Sequence, residues 1–206
     1  MQKSQVGAIL GVVFVCLTGV IVALVMWMRR KQESVLAGWQ ALASKRGWSY
    51  FAPSGPWHRR TRVRIEGDIS GLPVVLDSYS VNAGKSQITY VRARAESSTP
   101  HHLRVNKENF LTSIGKALGV RDATVGDDTY DEAFLISTDD EDWMRRVLAP
   151  PLREAHLGQE QIILTVKDGT VTAEEVGFFG EESKLVTLME MAAALSLAVQ
   201  AAEGTP

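Results

Sequence analysis

Gln87–Ala95, with the sequence QITYVRARA, alternates two kinds of side chain. One set of positions is small or β-branched and the other is aromatic or cationic: Thr89, Val91, Ala93 and Ala95 against Tyr90, Arg92 and Arg94. Successive side chains of a β-strand point to opposite faces. The alternation therefore predicts a strand with one buried face and one polar face.

Other short strand candidates surround this segment and are separated by turn residues. They are Trp48–Phe51, Thr61–Ile65, Pro73–Tyr79, Leu103–Val105, Phe134–Ser137, Ile162–Val166 and Thr170–Val176. Gly67 and Gly71 bracket one predicted turn, Ala83–Lys85 forms a second, and Lys167–Gly169 is a hairpin signal. Repeated short strands at hairpin spacing favour antiparallel pairing.

Apolar residues at three- and four-residue steps predict helices between and after these strands. The predicted helices are Gln32–Arg46, Asn106 or Lys107 to Leu118, Thr138 to Leu148 ended by Pro150-Pro151, and Glu181–Glu203. Thr138 and Glu141 have the spacing of a capping box, and Gly47 suits the left-handed residue after a helix. Glu190 interrupts the last apolar run, so we predict that this helix packs on the sheet rather than crossing a membrane.

The N-terminal segment Val6–Met28 contains no charged side chain and is followed by Arg29, Arg30 and Lys31. As a helix it extends roughly 35 Å, enough to cross a hydrocarbon core of about 30 Å. A cleaved secretory signal has a shorter apolar stretch of about 7–15 residues. The segment is therefore predicted to be an uncleaved transmembrane helix.

The charges beside this segment predict its orientation. Only Lys3 and the α-amine precede it, whereas three cations follow, and the more cationic flank stays in the cytoplasm. The N-terminus is expected outside and the domain in the cytoplasm. The single cysteine, Cys16, lies within the span, so no intramolecular disulfide can form.

The predicted fold class is α+β. An N-terminal transmembrane helix precedes one domain with a mostly antiparallel sheet and packed helices, including a long C-terminal helix. The predicted ranges are a tail at 1–5, the membrane helix at 6–28, a basic juxtamembrane segment and amphipathic helix at 29–47, the domain at 48–203, and a tail at 204–206.

Cations are concentrated in the first third of the chain. Nine Lys or Arg and one acid lie between Arg29 and Arg64, whereas nine acids and no Lys or Arg lie between Asp122 and Asp142. The candidate binding residues are Arg29, Arg30, Lys31, Arg60, Arg62, Arg64, Arg92 and Arg94. Guanidinium groups suit phosphate or carboxylate, so we hypothesise that an arginine-bearing sheet face meets anionic lipid or an acidic partner. The alternative is an ordinary solvated face.

Histidines and clustered acids are the other candidates for chemistry. Neighbours His101 and His102 point to opposite faces if they lie on a strand, and a zinc site needs three or four converging ligands. We therefore expect these histidines, with His58 and His156, to be solvated. Asp127–Glu132 lacks the pattern of a calcium loop and is expected to form a turn. No catalytic residue, metal or cofactor is predicted, and the net charge of −2 does not favour a nucleic-acid partner.

A set of aromatic and glycine positions resembles uncharacterised bacterial proteins in which a membrane helix precedes a globular domain of unknown function. The positions are Trp39-x-x-Leu42-Ala43, Gly47-Trp48-x-Tyr50, Ile65-x-Gly67, Gly71 and Tyr130-Asp131-x-x-Phe134. The resemblance implies a single-pass protein of the bacterial inner (cytoplasmic) membrane. It carries no catalytic residue and implies no substrate.

The functional hypothesis is a membrane-anchored, non-enzymatic interaction module that faces the cytoplasm. One alternative is an enzyme whose site is assembled from distant residues, around His101, His102 and Asp127–Glu132. Convergence of these groups in one enclosed pocket would favour that alternative. A second alternative is an envelope-structural domain on the outside of the membrane.

Overall fold

The structure, a computed structural model, describes residues 2–53, 55, 62–84, 86–107 and 123–204. Its strands are β1 Ser49–Phe51, β2 Arg64–Ile69, β3 Leu72–Ala83, β4 Ser86–Glu96, β5 Leu103–Lys107, β6 Phe134–Thr138, β7 Ile163–Lys167 and β8 Thr170–Val176. Its helices are α1 Gln2–Arg46, α2 Asp128–Ala133, α3 Glu141–Val147, α4 Pro150–Leu157 and α5 Glu182–Glu203. These elements confirm the α+β prediction and the long C-terminal helix.

The eight strands of the described residues form one antiparallel sheet in the order β1-β2-β3-β4-β8-β7-β5-β6. Hairpins join β2 to β3, β3 to β4 and β7 to β8, as the turn residues predicted. The pairing of β4 with β8 brings together segments that are about 80 residues apart in sequence. The central strands thus come from both halves of the domain.

Helix α5 packs on one face of the sheet and completes the core. Leu185, Leu188, Leu195 and Val199 are fully buried in it. Among the described residues, α5 is the one helix that is long and apolar enough to cross a membrane, yet 56% of its 18-residue window is buried inside the protein. Its apolar stripe is therefore explained by the sheet that it covers.

Helix α1 is continuous from Gln2 to Arg46, so the predicted membrane helix and the amphipathic helix after it form one element. The described side chains from Phe14 to Met28 are exposed, whereas Trp39 is fully buried in the core. Gly47 has a φ of 69° and ends the helix in the left-handed conformation, as predicted. The membrane placement of Val6–Met28 stays a prediction.

Two glycines have packing roles that the sequence did not indicate. Gly38, inside α1, lies against Gly180, and a Cβ on either residue would overlap backbone atoms. Gly67 lies inside β2 and not in the predicted turn. The Trp48 ring packs where a Cβ on Gly67 would be, which accounts for a glycine at this position. The turn between β2 and β3 is formed by Ser70 and Gly71, both with positive φ.

Several predicted boundaries were wrong. Strand β2 begins at Arg64 rather than Thr61. Thr138 ends β6 and donates to the carbonyl oxygen of His102 (2.9 Å), so Asp140 caps α3 instead. Helix α3 ends at Val147, before Pro150-Pro151 as predicted, but Pro150 also begins the unpredicted helix α4, because a proline at the first helical position needs no N–H donor.

The predicted helix from Asn106 or Lys107 to Leu118 falls partly on a strand. Asn106 and Lys107 belong to β5, where Asn106 is paired with Leu135 and Lys107 with Phe134. Residues 108–118 lie outside the described residues.

Candidate interaction surface

The face of the sheet opposite α5 carries charged and aromatic side chains from β3, β4, β5 and β8. We call this surface the open face and define it by Asp77, Tyr79, Tyr90, Arg92, Arg94, Arg104 and Glu174. The register places these residues side by side: Asp77 is opposite Arg92, Tyr79 is opposite Tyr90, and Arg92 is opposite Glu174. Strand alternation therefore collects them on one side while their neighbours enter the core.

Asp77 binds two arginines at once. Arg92 donates to both of its carboxylate oxygens (2.8 and 3.3 Å), and Arg94 donates to Oδ2 (2.5 Å). The Asp77 side chain is 14% exposed, against 28% for Arg92 and 35% for Arg94. Burial lowers the pKa of Arg92, but its hydrogen bonds to Asp77 and the charge of that carboxylate outweigh burial and raise it overall.

Tyr79, Tyr90 and Glu174 form the second part of the open face. The two tyrosine rings stack with centroids 5.2 Å apart, and the Arg92 guanidinium lies 4.4 Å from the Tyr79 centroid. Tyr79 donates a 2.7 Å hydrogen bond to Glu174, whose residue is only 8% exposed. Burial, followed by the interactions with Glu174, raises the pKa of Tyr79, so the phenol stays protonated as a donor.

The arginines predicted from the sequence divide into separate groups. Arg64 lies on β2, directly opposite Asp77 by register, and pairs with Glu66 (2.5 Å). Arg62 is exposed in the segment before β2, and Arg60 lies outside the described residues. Strands β2 and β4 are separated by β3, so Asp77 stands between Arg64 and Arg92.

The cations beside the apolar run lie on the surface of α1. Arg29 pairs with Glu33 (2.8 Å), one helical turn later. Lys31 lies 5.6 Å from the Trp27 ring centroid, and Arg30 is exposed. These residues are separated from the open face by the helical segment that leads to Trp39.

The residues of the enzyme alternative lie in two different networks. His101 lies 3.7 Å from Asp139 and 3.9 Å from Asp140, and its ring packs on Trp143. The acids Asp127 and Asp131 instead make local hydrogen bonds to the backbone. Asp127 caps α2, while Asp131 accepts from the backbone N–H groups of residues 125, 126 and 127. Within the described ranges, no three His, Cys, Asp or Glu side chains are placed to hold a metal ion.

The remaining histidines differ from the solvated groups that we expected. His102 is half-buried, with Nδ1 3.1 Å from the carbonyl oxygen of Val166. His156 is fully buried in α4, where it contacts the Tyr130 hydroxyl (2.7 Å) and the Ile162 carbonyl oxygen (2.8 Å). Burial lowers the pKa of His156 to about 4, although the Ile162 contact opposes the shift. His58 lies outside the described residues.

Sequence reasoning missed Asp77, Tyr79 and Glu174 as members of the surface. The signal for Asp77 and Tyr79 was present in the predicted turn at 83–85, since a hairpin turn sets the register of the strands that it joins. No local signal places Glu174 beside Arg92, because β8 arrives from a distant part of the chain.

No protein-family model matches the chain, and no curated protein matches it. Among solved structures, it is similar to the crystal structure of the mycobacterial trehalose monomycolate transport factor A, TtfA. The TM-score is 0.52 at 10% sequence identity, covering 84% of this chain and 94% of TtfA. At this identity the likeness concerns the fold alone.

Proposed function

We propose that this protein is a single-pass protein of the bacterial inner membrane whose α+β domain is a non-enzymatic interaction module facing the cytoplasm. The observation that carries the proposal is the exposed apolar stretch of α1. The large apolar side chains described from Phe14 to Met28 are 38–72% exposed, with Phe14 at 72% and Trp27 at 60%. Contiguous apolar surface of this kind requires another apolar environment, and its length suits a bilayer.

The junction between anchor and domain supports a module held in a defined orientation. Helix α1 enters the core without a break, and Trp39 donates to the carbonyl oxygen of Phe179 (2.7 Å). The contact between Gly38 and Gly180 brings the helix and the loop after β8 together at backbone distance. Because α1 is fixed to the domain at these points, the domain keeps a constant orientation relative to the anchor. Helix α5 packs on the other face of the sheet, so it does not cover the open face.

The open face supports an acidic protein partner. Three arginines (Arg92, Arg94, Arg104) stand against two carboxylates (Asp77, Glu174), leaving one net positive charge. The Nε of Arg94 is buried and has no hydrogen-bond partner. A carboxylate on a partner would complement this surface, and such complementarity contributes mainly to specificity and association rate.

The likeness to TtfA supports the fold of this domain and not a particular role. TtfA is named as a transport factor, and folds host many functions, so this analogy adds no substrate. His101 and His102 make contacts that do not involve the Asp127–Glu132 acids, which supports the non-enzymatic assignment.

Fractionation and reporter fusions test the anchor and its orientation. The wild-type protein is expected to resist carbonate extraction, whereas a variant with Leu17→Arg, Val20→Arg and Leu24→Arg is expected in the soluble fraction. Leu197→Arg is the matched control, because Leu197 is 46% exposed on α5 and outside the anchor. A reporter fused after Pro206 should be active only in the cytoplasm. Alkaline-phosphatase activity of that fusion would contradict the orientation.

Site-specific photocrosslinking in cells tests the open face. A photoreactive residue at Thr172, between Arg94 and Thr165 in the register, is expected to crosslink to a protein partner. The same residue at Leu197 is the control on the helical side. Equal crosslinking from both positions would argue against a specific open-face partner.

A further inference from the structure

The β3–β4 hairpin extends beyond the strands on either side of it. In the described part of the chain, the ladder of β2 with β3 ends at Asp77, and that of β8 with β4 ends at Tyr90. One further backbone hydrogen bond on each side reaches Ser78, from Val63, and Thr89, from Gly177. Past these residues β3 and β4 pair with each other, up to Ala83 and Ser86. We call residues 80–84 and 86–88 the hairpin tip.

Contacts of the loop after β8 fix which end of the sheet faces the anchor. Val176 is paired with Tyr90, so this loop leaves the sheet at the end that carries the hairpin tip. The loop then meets α1, where Trp39 bonds to Phe179 and Val35 lies against Gly180.

The later part of α1 lies against the body of the sheet, away from this end. Trp48, just after the helix, packs on Gly67. Gly67 is opposite Val74, whereas Arg64 is opposite Asp77, so Gly67 is further from the hairpin tip. Moving along α1 from Arg46 back towards Met28 therefore leads to the end of the sheet where the tip projects.

The distance that α1 extends beyond the domain matches the distance that β3 extends beyond Tyr79. From Trp39 or Val35 back to Met28, where the apolar run ends, α1 rises about 10–16 Å. From Tyr79 to Ala83, β3 advances roughly 13 Å in the same direction. Because α1 contacts Gly180 at Val35 and its end contacts Gly67 through Trp48, we infer that the helix runs roughly along the strand direction. On that inference the hairpin tip reaches the level of Met28.

The side chains of the hairpin tip suit a bilayer surface. Val81 and Ile88 are paired across the strands and continue the open-face row of Tyr79 and Tyr90, and Val81 is 41% exposed. Ser80–Thr89 contains no carboxylate and one cation, Lys85. Exposed apolar groups without acids are favourable at an anionic lipid surface, and Arg62 is exposed at the same end of the sheet.

We propose that the hairpin tip is a second membrane contact, which touches the lipid surface beside the anchor through Val81 and Ile88. This inference rests on the proposed membrane anchoring of α1. Two contacts fix the domain more firmly than a helix alone, because the second prevents tilting about the first. The open face then meets the membrane at its Tyr79–Tyr90 end, and a partner reaches it along the bilayer surface.

Depth-dependent fluorescence quenching of the full chain in nanodiscs tests this contact. The discs contain anionic phospholipid with quencher-labelled lipids, and the background substitution Cys16→Ser removes the native thiol. Val81→Cys carries an environment-sensitive dye. Lys167→Cys is the matched control, because Lys167 is exposed at the opposite end of the sheet. We expect quenching and a blue-shifted emission at Val81 and neither at Lys167.

The outcomes separate this inference from the anchor on which it rests. Protein that inserts into discs but shows no more quenching at Val81 than at Lys167 overturns the hairpin contact and leaves the anchor intact. Protein that fails to enter discs overturns both. Ile88→Cys gives an independent position, and its label should behave like the one at Val81.

Discussion

The two faces of strand β4 differ in almost every physical respect. Val91 and Ala93 are fully buried on the side of α5, whereas Arg92 and Arg94 on the other side remain partly exposed and share one carboxylate. The side covered by α5, which we call the covered face, stabilises the fold by removing apolar surface from water. This contributes about 1.5–3 kcal/mol for a large side chain. The open face gains less from its ion pairs: exposed pairs are worth about 0.2–1 kcal/mol, and partial burial of the Asp77 pairs adds a desolvation cost. The covered side of these strands thus provides stability, and under the proposed function the open face provides recognition.

The largest expected effect comes from the covered face. Leu188→Ala removes a fully buried side chain of α5 and is expected to lower the free energy of unfolding by about 2–5 kcal/mol. Urea unfolding of the full chain in detergent micelles measures the change. Leu197→Ala is the control on the same helix, and its expected effect is below about 0.5 kcal/mol. Equal effects at both positions would contradict the docking of α5 on the sheet.

Acid should lower the free energy of unfolding through His156, which is fully buried in the core. The pKa is about 4 in the folded protein and 6.5 for the ordinary group, so between these values the unfolded chain binds a proton that the folded chain does not. The stabilising contribution is complete above pH 6.5 and is lost as the pH falls to about 4. The shift corresponds to about 3 kcal/mol at most.

Unfolding titrations between pH 7 and pH 4 measure this dependence. His156→Gln retains hydrogen-bonding groups but cannot titrate, so it should flatten the pH dependence while lowering stability overall. An unchanged slope in this variant would assign the acid sensitivity to other groups.

The junction of α1 with the domain should tolerate little added volume. Gly38→Ala places a Cβ against the Gly180 carbonyl and is expected to cost about 1–3 kcal/mol. Gly19→Ala is the matched control, since it is in the same helix with nothing within 4 Å of a built Cβ. Both changes improve helix propensity equally, so the difference in unfolding free energy isolates the clash. Equal stabilities would show that the helix and the loop separate easily.

The smallest expected effect comes from the charges of the open face. In a double-mutant cycle, Asp77→Ala and Arg92→Ala should show a coupling energy of about 1 kcal/mol or less, because both groups remain partly hydrated. Crosslinking from Thr172 should fall in the Arg92→Ala variant although the fold persists. A coupling of several kcal/mol would mean that the open face contributes to stability as the covered face does.

Local pattern predicted most elements, and its failures have identifiable causes. The Pro150-Pro151 pair correctly predicts the end of α3, but the same pair begins α4, which the sequence pattern did not predict. His156 lies in α4, 26 residues after Tyr130, and no local pattern indicates that the two side chains are partners in the core. Thr138 had capping-box spacing, but its hydroxyl bonds to the neighbouring strand, and Asp140 supplies the cap.

The sequence by itself determined the alternation of β4, the turn at Lys167–Gly169, the end of α1 at Gly47 and the apolar run at Val6–Met28. Each depends on backbone geometry or hydrophobicity over a few adjacent residues. Only the tertiary structure decided that β4 pairs with β8, that Arg92 and Arg94 share Asp77, and that the β3–β4 ladder continues past the ladders beside it. Those arrangements depend on which distant strands become neighbours, and the competing pairings differ in free energy through the whole core rather than through any one segment.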